Sequence, residues 1–152
     1  MPICQKILQA GHGRTTQDQI VLDYDGRMLR RKRLESATGA GFMVDLAETV
    51  SLNEGDAFEL IDGRVIAVVA AQELVAIVTG NLPRLAWHIG NRHTPCEVTS
   101  THLVIRRDPV LEQMVQGLGG HVATAIAPFR PEGGAYGFGR TMGHGFGGHS
   151  HA

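Results

Sequence analysis

Near residue 74 the spacing of the apolar residues changes, and this limits the chain to an architecture of two dissimilar parts. Before it, Phe42, Val44 and Leu46 fall at the period of two expected of a half-buried strand, and Val65 to Val69 is a short apolar run. Asp62-Gly63 separates Phe58-Glu59-Leu60-Ile61 from Arg64-Val65-Ile66, a pair favoured in two-residue hairpin turns with positive φ at both central residues. Asp25-Gly26 reads as a second such turn, and Gly39, Gly41 and Asn53-Glu54-Gly55-Asp56 mark others. Residues 1–73 are therefore expected to form a small, mostly β domain with short connections.

Beyond it, the β-branched run Leu74 to Thr79 predicts a strand. Asn81 then offers an N-cap to a helix with Leu82, Leu85, Ala86 and Ile89 on one face. Gly90-Asn91 and Pro95 bracket its end, and Cys96 to Arg106 reads as two short strands or one bent one. Asp108 is the N-cap and Pro109 the first residue of a second helix carrying Val110, Leu111, Met114, Val115 and Leu118, which Gly117, Gly119 and Gly120 stop. His121 to Phe129 supplies a last strand. The order β-α-β-β-α-β is the ferredoxin-like arrangement. From Gly133 onward, eight of twenty residues are Gly and three are His, a composition with little to bury that reads as disordered. The expected fold class is thus a mostly β domain (1–73), an α+β ferredoxin-like domain (74–136) and a flexible Gly/His tail (137–152).

Composition narrows the partners. Fourteen Lys and Arg against fifteen Asp and Glu leave a net charge of -1, with 5% aromatic residues and one Trp. Neither a field for phosphate backbones nor a stacking platform is present, so no nucleic acid is expected. No stretch approaches the roughly 18 to 20 apolar residues of a membrane span, and the N-terminus lacks a signal peptide's apolar region. A cytoplasmic protein without a membrane partner is expected, with Cys4 and Cys96 as free thiols.

The side chains with chemistry are mostly imidazoles. His144, His149 and His151 lie in GHGFGGHSHA, and neutral imidazole suits Ni, Zn and Cu; the plain alternative is a solubilising tail. His88 and His93 are five apart and do not share a helical face, which excludes a chelating i, i+4 pair. His93 falls where the first helix ends, in a solvent-facing position open to a ligand or to a structural role. Cys96 could add a thiolate or serve as a small buried residue. His12, His102 and His121 have no ligand-like spacing. Arg30-Arg31-Lys32-Arg33 reads as a solvated strand end or as a docking surface for an acidic partner. No phosphate-binding loop and no nucleophile-base arrangement is present, so the chain is not expected to be an enzyme.

The segment Arg84-Leu85-Ala86-Trp87-His88-Ile89-Gly90-Asn91-Arg92-His93-Thr94-Pro95 resembles the GNRH signature of the UreE family of urease accessory proteins. Leu29 to Leu34, Glu54-Gly55-Asp56, Asp108 to Met114, Pro128 to Tyr136 and the His-bearing tail follow in that family's order, so the resemblance covers essentially the whole chain. It implies a peptide-binding-like first domain and a second domain that dimerises, with His93 of each protomer facing its mate. It also implies Ni(II) as cargo, with Zn(II) or Cu(II) able to substitute in vitro, and the urease apoprotein complex and an accessory GTPase as partners. Relatives often carry histidines just before the second helix; here those positions read Arg106-Arg107-Asp108-Pro109, so that accessory metal site is expected to be missing. On this reading a homodimer grips nickel between two copies of His93, and His144, His149 and His151 complete and loosen the site.

Overall fold

The computed structural model describes residues 1–133, and among these it is mostly β with two α-helices. The chain divides between Ala71 and Gln72 into two units.

In the first unit the alternating residues become strands β1 (Ile3–Leu8), β2 (Asp18–Leu22), β3 (Met28–Glu35), β4 (Gly41–Ser51), β5 (Ala57–Leu60) and β6 (Val65–Ala70). They form one sheet in the order β2-β6-β5-β1-β4-β3. The β1/β4 and β2/β6 pairs are parallel, and the rest are antiparallel. Phe42, Val44 and Leu46 point into a core with Cys4, Ile20 and Phe58, where the Phe42 and Phe58 rings lie 5.3 Å apart. Each such side chain contributes about 1.5–3 kcal/mol through burial. Leu29 and Leu34 are both buried although five residues apart, which uniform alternation forbids; a register shift between Leu29 and Arg31 turns both inward.

Two turns differ from the sequence expectation. The Asp62-Gly63 hairpin exists, but with a three-residue loop: Gly63 N–H donates to the Leu60 carbonyl and Leu60 N–H to the Arg64 carbonyl, both at 2.9 Å. Gly63 alone takes a positive φ (+93°), while Asp62 uses its carboxylate to accept from the Arg64 N–H at 3.0 Å. Asp25-Gly26 is not a hairpin turn. It lies in a 3-10 turn, Asp25–Arg27, in which the Gly26 N–H donates to Asp23 Oδ1 at 2.7 Å. The β1–β2 connection is also longer than expected and is held by side chains: the buried Asp56 accepts the Ala10 N–H at 2.9 Å, and Arg14 reaches Glu59 at 2.7 Å.

The second unit contains β7 (Gln72–Thr79), α1 (Leu82–Asn91), β8 (Glu97–Val98), β9 (Leu103–Arg106), α2 (Pro109–Gly117) and β10 (His121–Pro128). Gln72 and Glu73, left with the first domain by the hydropathy pattern, pair with Pro128 and Ala127 and so belong here. The antiparallel sheet has the order β10-β7-β9-β8. Both helices start at their expected caps: Asn81 Oδ1 accepts the Arg84 N–H at 3.3 Å, and Asp108 Oδ1 accepts from Val110 at 2.9 Å and Leu111 at 3.2 Å. Leu85 and Ile89 of α1 and Leu111 and Val115 of α2 pack on Ala76, Val78, Leu103 and Ile105. Gly120 lies so close to the helices that a Cβ would meet Val115 Cγ1 at 2.8 Å and Leu85 Cδ1 at 3.0 Å.

Candidate metal-binding site

Helix α1 carries Leu85 and Ile89 into the core, and the residues after it turn outward. Arg92 N–H donates to the Ile89 carbonyl at 3.1 Å, and His93 N–H to the Gly90 carbonyl at 2.9 Å. His93 is exposed and takes φ +57°, the left-handed conformation that closes a helix and is ordinarily left to Gly. Among the described residues it is the only non-glycine with a positive φ. Left-handed backbone costs an L-residue about 1–2 kcal/mol, so an imidazole is held here against local preference. The helix end also concentrates backbone carbonyls, whose partial negative charge favours a cation.

The other candidates are placed differently. His88 is half-buried and meets Trp87 edge-on, with ring centroids 5.0 Å apart. His102 is bound into the β8–β9 turn, where its Nδ1 lies 2.9 Å from Thr101 Oγ1 and 3.1 Å from Thr99 Oγ1. Cys96 packs against the core of the second unit, and burial pushes its thiol up to about 11, which disfavours the thiolate a metal needs. His144, His149 and His151 lie outside the described residues. Among the described residues no three His, Cys, Asp or Glu side chains converge in a way that could hold an ion.

The residues before α2 are committed to the helix start. Glu112 accepts from Arg107 Nε at 2.8 Å and from the Asp108 N–H at 2.9 Å, and Asp108 caps the helix. Beside them a cavity of about 410 Å³ is bordered by Thr94, Pro95, Leu74 and Leu111.

One feature of the site has no local signature in the sequence. After β10 the chain passes from one edge of the sheet to the other: Arg130 N–H donates to Glu97 Oε1 at 3.0 Å, and Glu132 N–H to the Cys96 carbonyl at 2.9 Å. Phe129 is wholly buried at the start of this crossing. The segment leading to residues 134–152 is thereby anchored three residues along the chain from His93.

Comparison with known proteins agrees with this arrangement of two units. A family model for the N-terminal domain of UreE urease accessory proteins matches residues 4–71, and one for their C-terminal domain matches residues 66–152. A urease accessory protein UreE from Cereibacter sphaeroides is 64% identical over 123 residues, covering 81% of this chain and 68% of that protein. One from Rhodobacter capsulatus is 56% identical over 139 residues, covering 91% and 89%. One from Ruegeria pomeroyi is 51% identical over 145 residues, covering 95% and 97%.

Proposed function

The chain belongs to the UreE family of urease accessory proteins, and on that premise we propose that it acts in urease maturation as a non-catalytic carrier of Ni(II). Its second unit, with sheet order β10-β7-β9-β8, is read as the ferredoxin-like domain through which two copies associate. One imidazole cannot hold a divalent ion against water, but a two-fold axis beside His93 supplies two.

The observation that carries this reading is the bond from Glu132 N–H to the Cys96 carbonyl. It starts the tail next to the His93 segment. His144 lies twelve positions beyond Glu132 in the sequence, and a chain of that length reaches at most roughly 40 Å, which confines its imidazole to the surroundings of the His93 segment. His144, His149 and His151 can then complete the coordination, and because they come from a tether they can leave it again. Exchangeable ligands of this kind suit transfer to an acceptor, here the urease apoprotein complex with its accessory GTPase, in the cytoplasm. Imidazole sites follow the Irving–Williams order, so Cu(II) and Zn(II) substitute in vitro.

Titration calorimetry with Ni(II) on the full-length protein and on His93→Ala tests the proposal. The variant is expected to lose the tight site. Unchanged nickel affinity in that variant would overturn the assignment.

A further inference from the structure

A groove of about 490 Å³ lies between the start of α1 and the β8–β9 turn, with Leu82, Pro83 and Ala86 on one wall and Val98 and Leu103 on the other. Val98 and Leu103 are cross-strand partners, so both side chains stand on the side of the sheet that faces the helices. The packing there stops short of β8: Leu103 is wholly buried, Val98 is 47% exposed, and Leu82 and Ala86 are only partly covered. None of the residues lining the groove is charged.

The sequence of residues 134–152 holds large apolar side chains that imidazole ligation does not use. Gly-Phe-Gly occurs twice there, around Phe138 and around Phe146, and Tyr136 and Met142 accompany them. A segment serving only reach or solubility has no need of such side chains. Arg140 is its only charged side chain apart from the histidines, so it matches a groove without charge. Its point of departure is fixed: the Glu132 N–H bonds the Cys96 carbonyl at 2.9 Å, and Val98 follows Cys96 by two residues of chain, about 7 Å. Phe138 lies six positions beyond Glu132 and reaches at most roughly 20 Å. Tyr136 is nearer but carries a hydroxyl that the apolar walls leave unpaired, and Phe146, fourteen positions away, is disfavoured by its longer tether.

We infer that the groove takes the ring of Phe138 of the same chain, which lays the following residues back along α1. Burial of the ring against Leu82, Ala86, Val98 and Leu103 supplies the affinity. His144 follows six positions later, a reach of at most roughly 20 Å, while α1 advances roughly 10–15 Å from the groove to its end. On the nickel-carrier reading, on which this step alone rests, the docked ring brings His144 toward His93 and leaves six positions of free chain before it instead of twelve. A docked Phe146, two positions from His144, gives a reach of only about 7 Å, too short to follow α1 to its end.

The test replaces Phe138 with the photoreactive benzoylphenylalanine in the full-length protein, irradiates it free of metal, and reads the product by gel and peptide mass mapping. A single-chain product is expected, joining position 138 to peptides that hold Leu82 to Ala86 or Val98 to Leu103. Val98→Asp in the same background is expected to lower its yield roughly fivefold or more, because the ring then meets a carboxylate. If Val98→Asp fails to fold by circular dichroism, hydrogen exchange decides: the Val98 and Thr99 amides exchange faster in Phe138→Ala than in wild type, or the inference fails. Working without metal separates this result from the nickel-carrier reading, which the His93→Ala titration tests. A two-chain product would show that a second copy supplies the ring. That outcome, crosslinks spread without preference, a yield indifferent to Val98→Asp, or an equal yield in the groove from the same probe at Phe146 would each overturn the inference.

Discussion

His93 closes α1 in the left-handed conformation with which Gly119 closes α2, with φ +57° at one and +87° at the other. Each donates its N–H back to the carbonyl three residues earlier, His93 to Gly90 at 2.9 Å and Gly119 to Gln116 at 3.0 Å. Gly is the residue that meets this geometry without strain, so His93→Gly is expected to stabilise the fold by up to about 1 kcal/mol while abolishing tight nickel binding. His93→Ala is expected to lose nickel without that gain. Denaturant titration read beside calorimetry checks the pair; a His93→Gly variant that is less stable than His93→Ala would contradict the account.

Truncation after Tyr136 removes His144, His149 and His151 but leaves Phe129, Arg130 and Glu132. The truncated chain is expected to stay folded and, on the proposed function, to be dimeric by light scattering, and to bind fewer nickel ions or bind them more weakly. Failure of the truncated chain to fold would show that the removed segment belongs to the second domain.

The partly buried Cys96 thiol, pushed up to about 11 by desolvation, stays protonated at neutral pH. Alkylation by iodoacetamide at pH 8 is therefore expected to be slow in the folded protein and fast in denaturant, and the nickel complex is expected to lack a thiolate-to-metal absorption band. Nickel affinity of Cys96→Ser is expected to match wild type.

Glu112 predicts a pH effect of definite sign. The bond from Arg107, aided by the Asp108 N–H, holds its carboxyl below the usual glutamate range. Its stabilising contribution is accordingly present above that range and is lost as the pH falls through the lowered folded value. Glu112→Gln is expected to flatten the acid limb of the stability curve below about pH 4.3. Asp108→Ala, which removes the N-cap of the same helix, is expected to cost about 1 kcal/mol at neutral pH.

By itself the sequence determined the features that arise within a few residues of chain. Asn81 and Asp108 cap their helices because a side-chain oxygen two or three residues before an N–H can satisfy it wherever the segment sits. His93 was legible as an exposed helix-end residue for the same reason, and the GNRH segment identified the family. Turn geometry was less legible: Asp62-Gly63 marked a hairpin, but the loop length depends on how Leu60 and Arg64 meet across it. Tertiary structure alone decided the register shift that buries Leu29 with Leu34, the parallel β1/β4 and β2/β6 pairs, and the crossing that bonds Glu132 to Cys96. Each of these joins groups distant along the chain and exists only because both are held on one sheet, so no local pattern of residues could announce it.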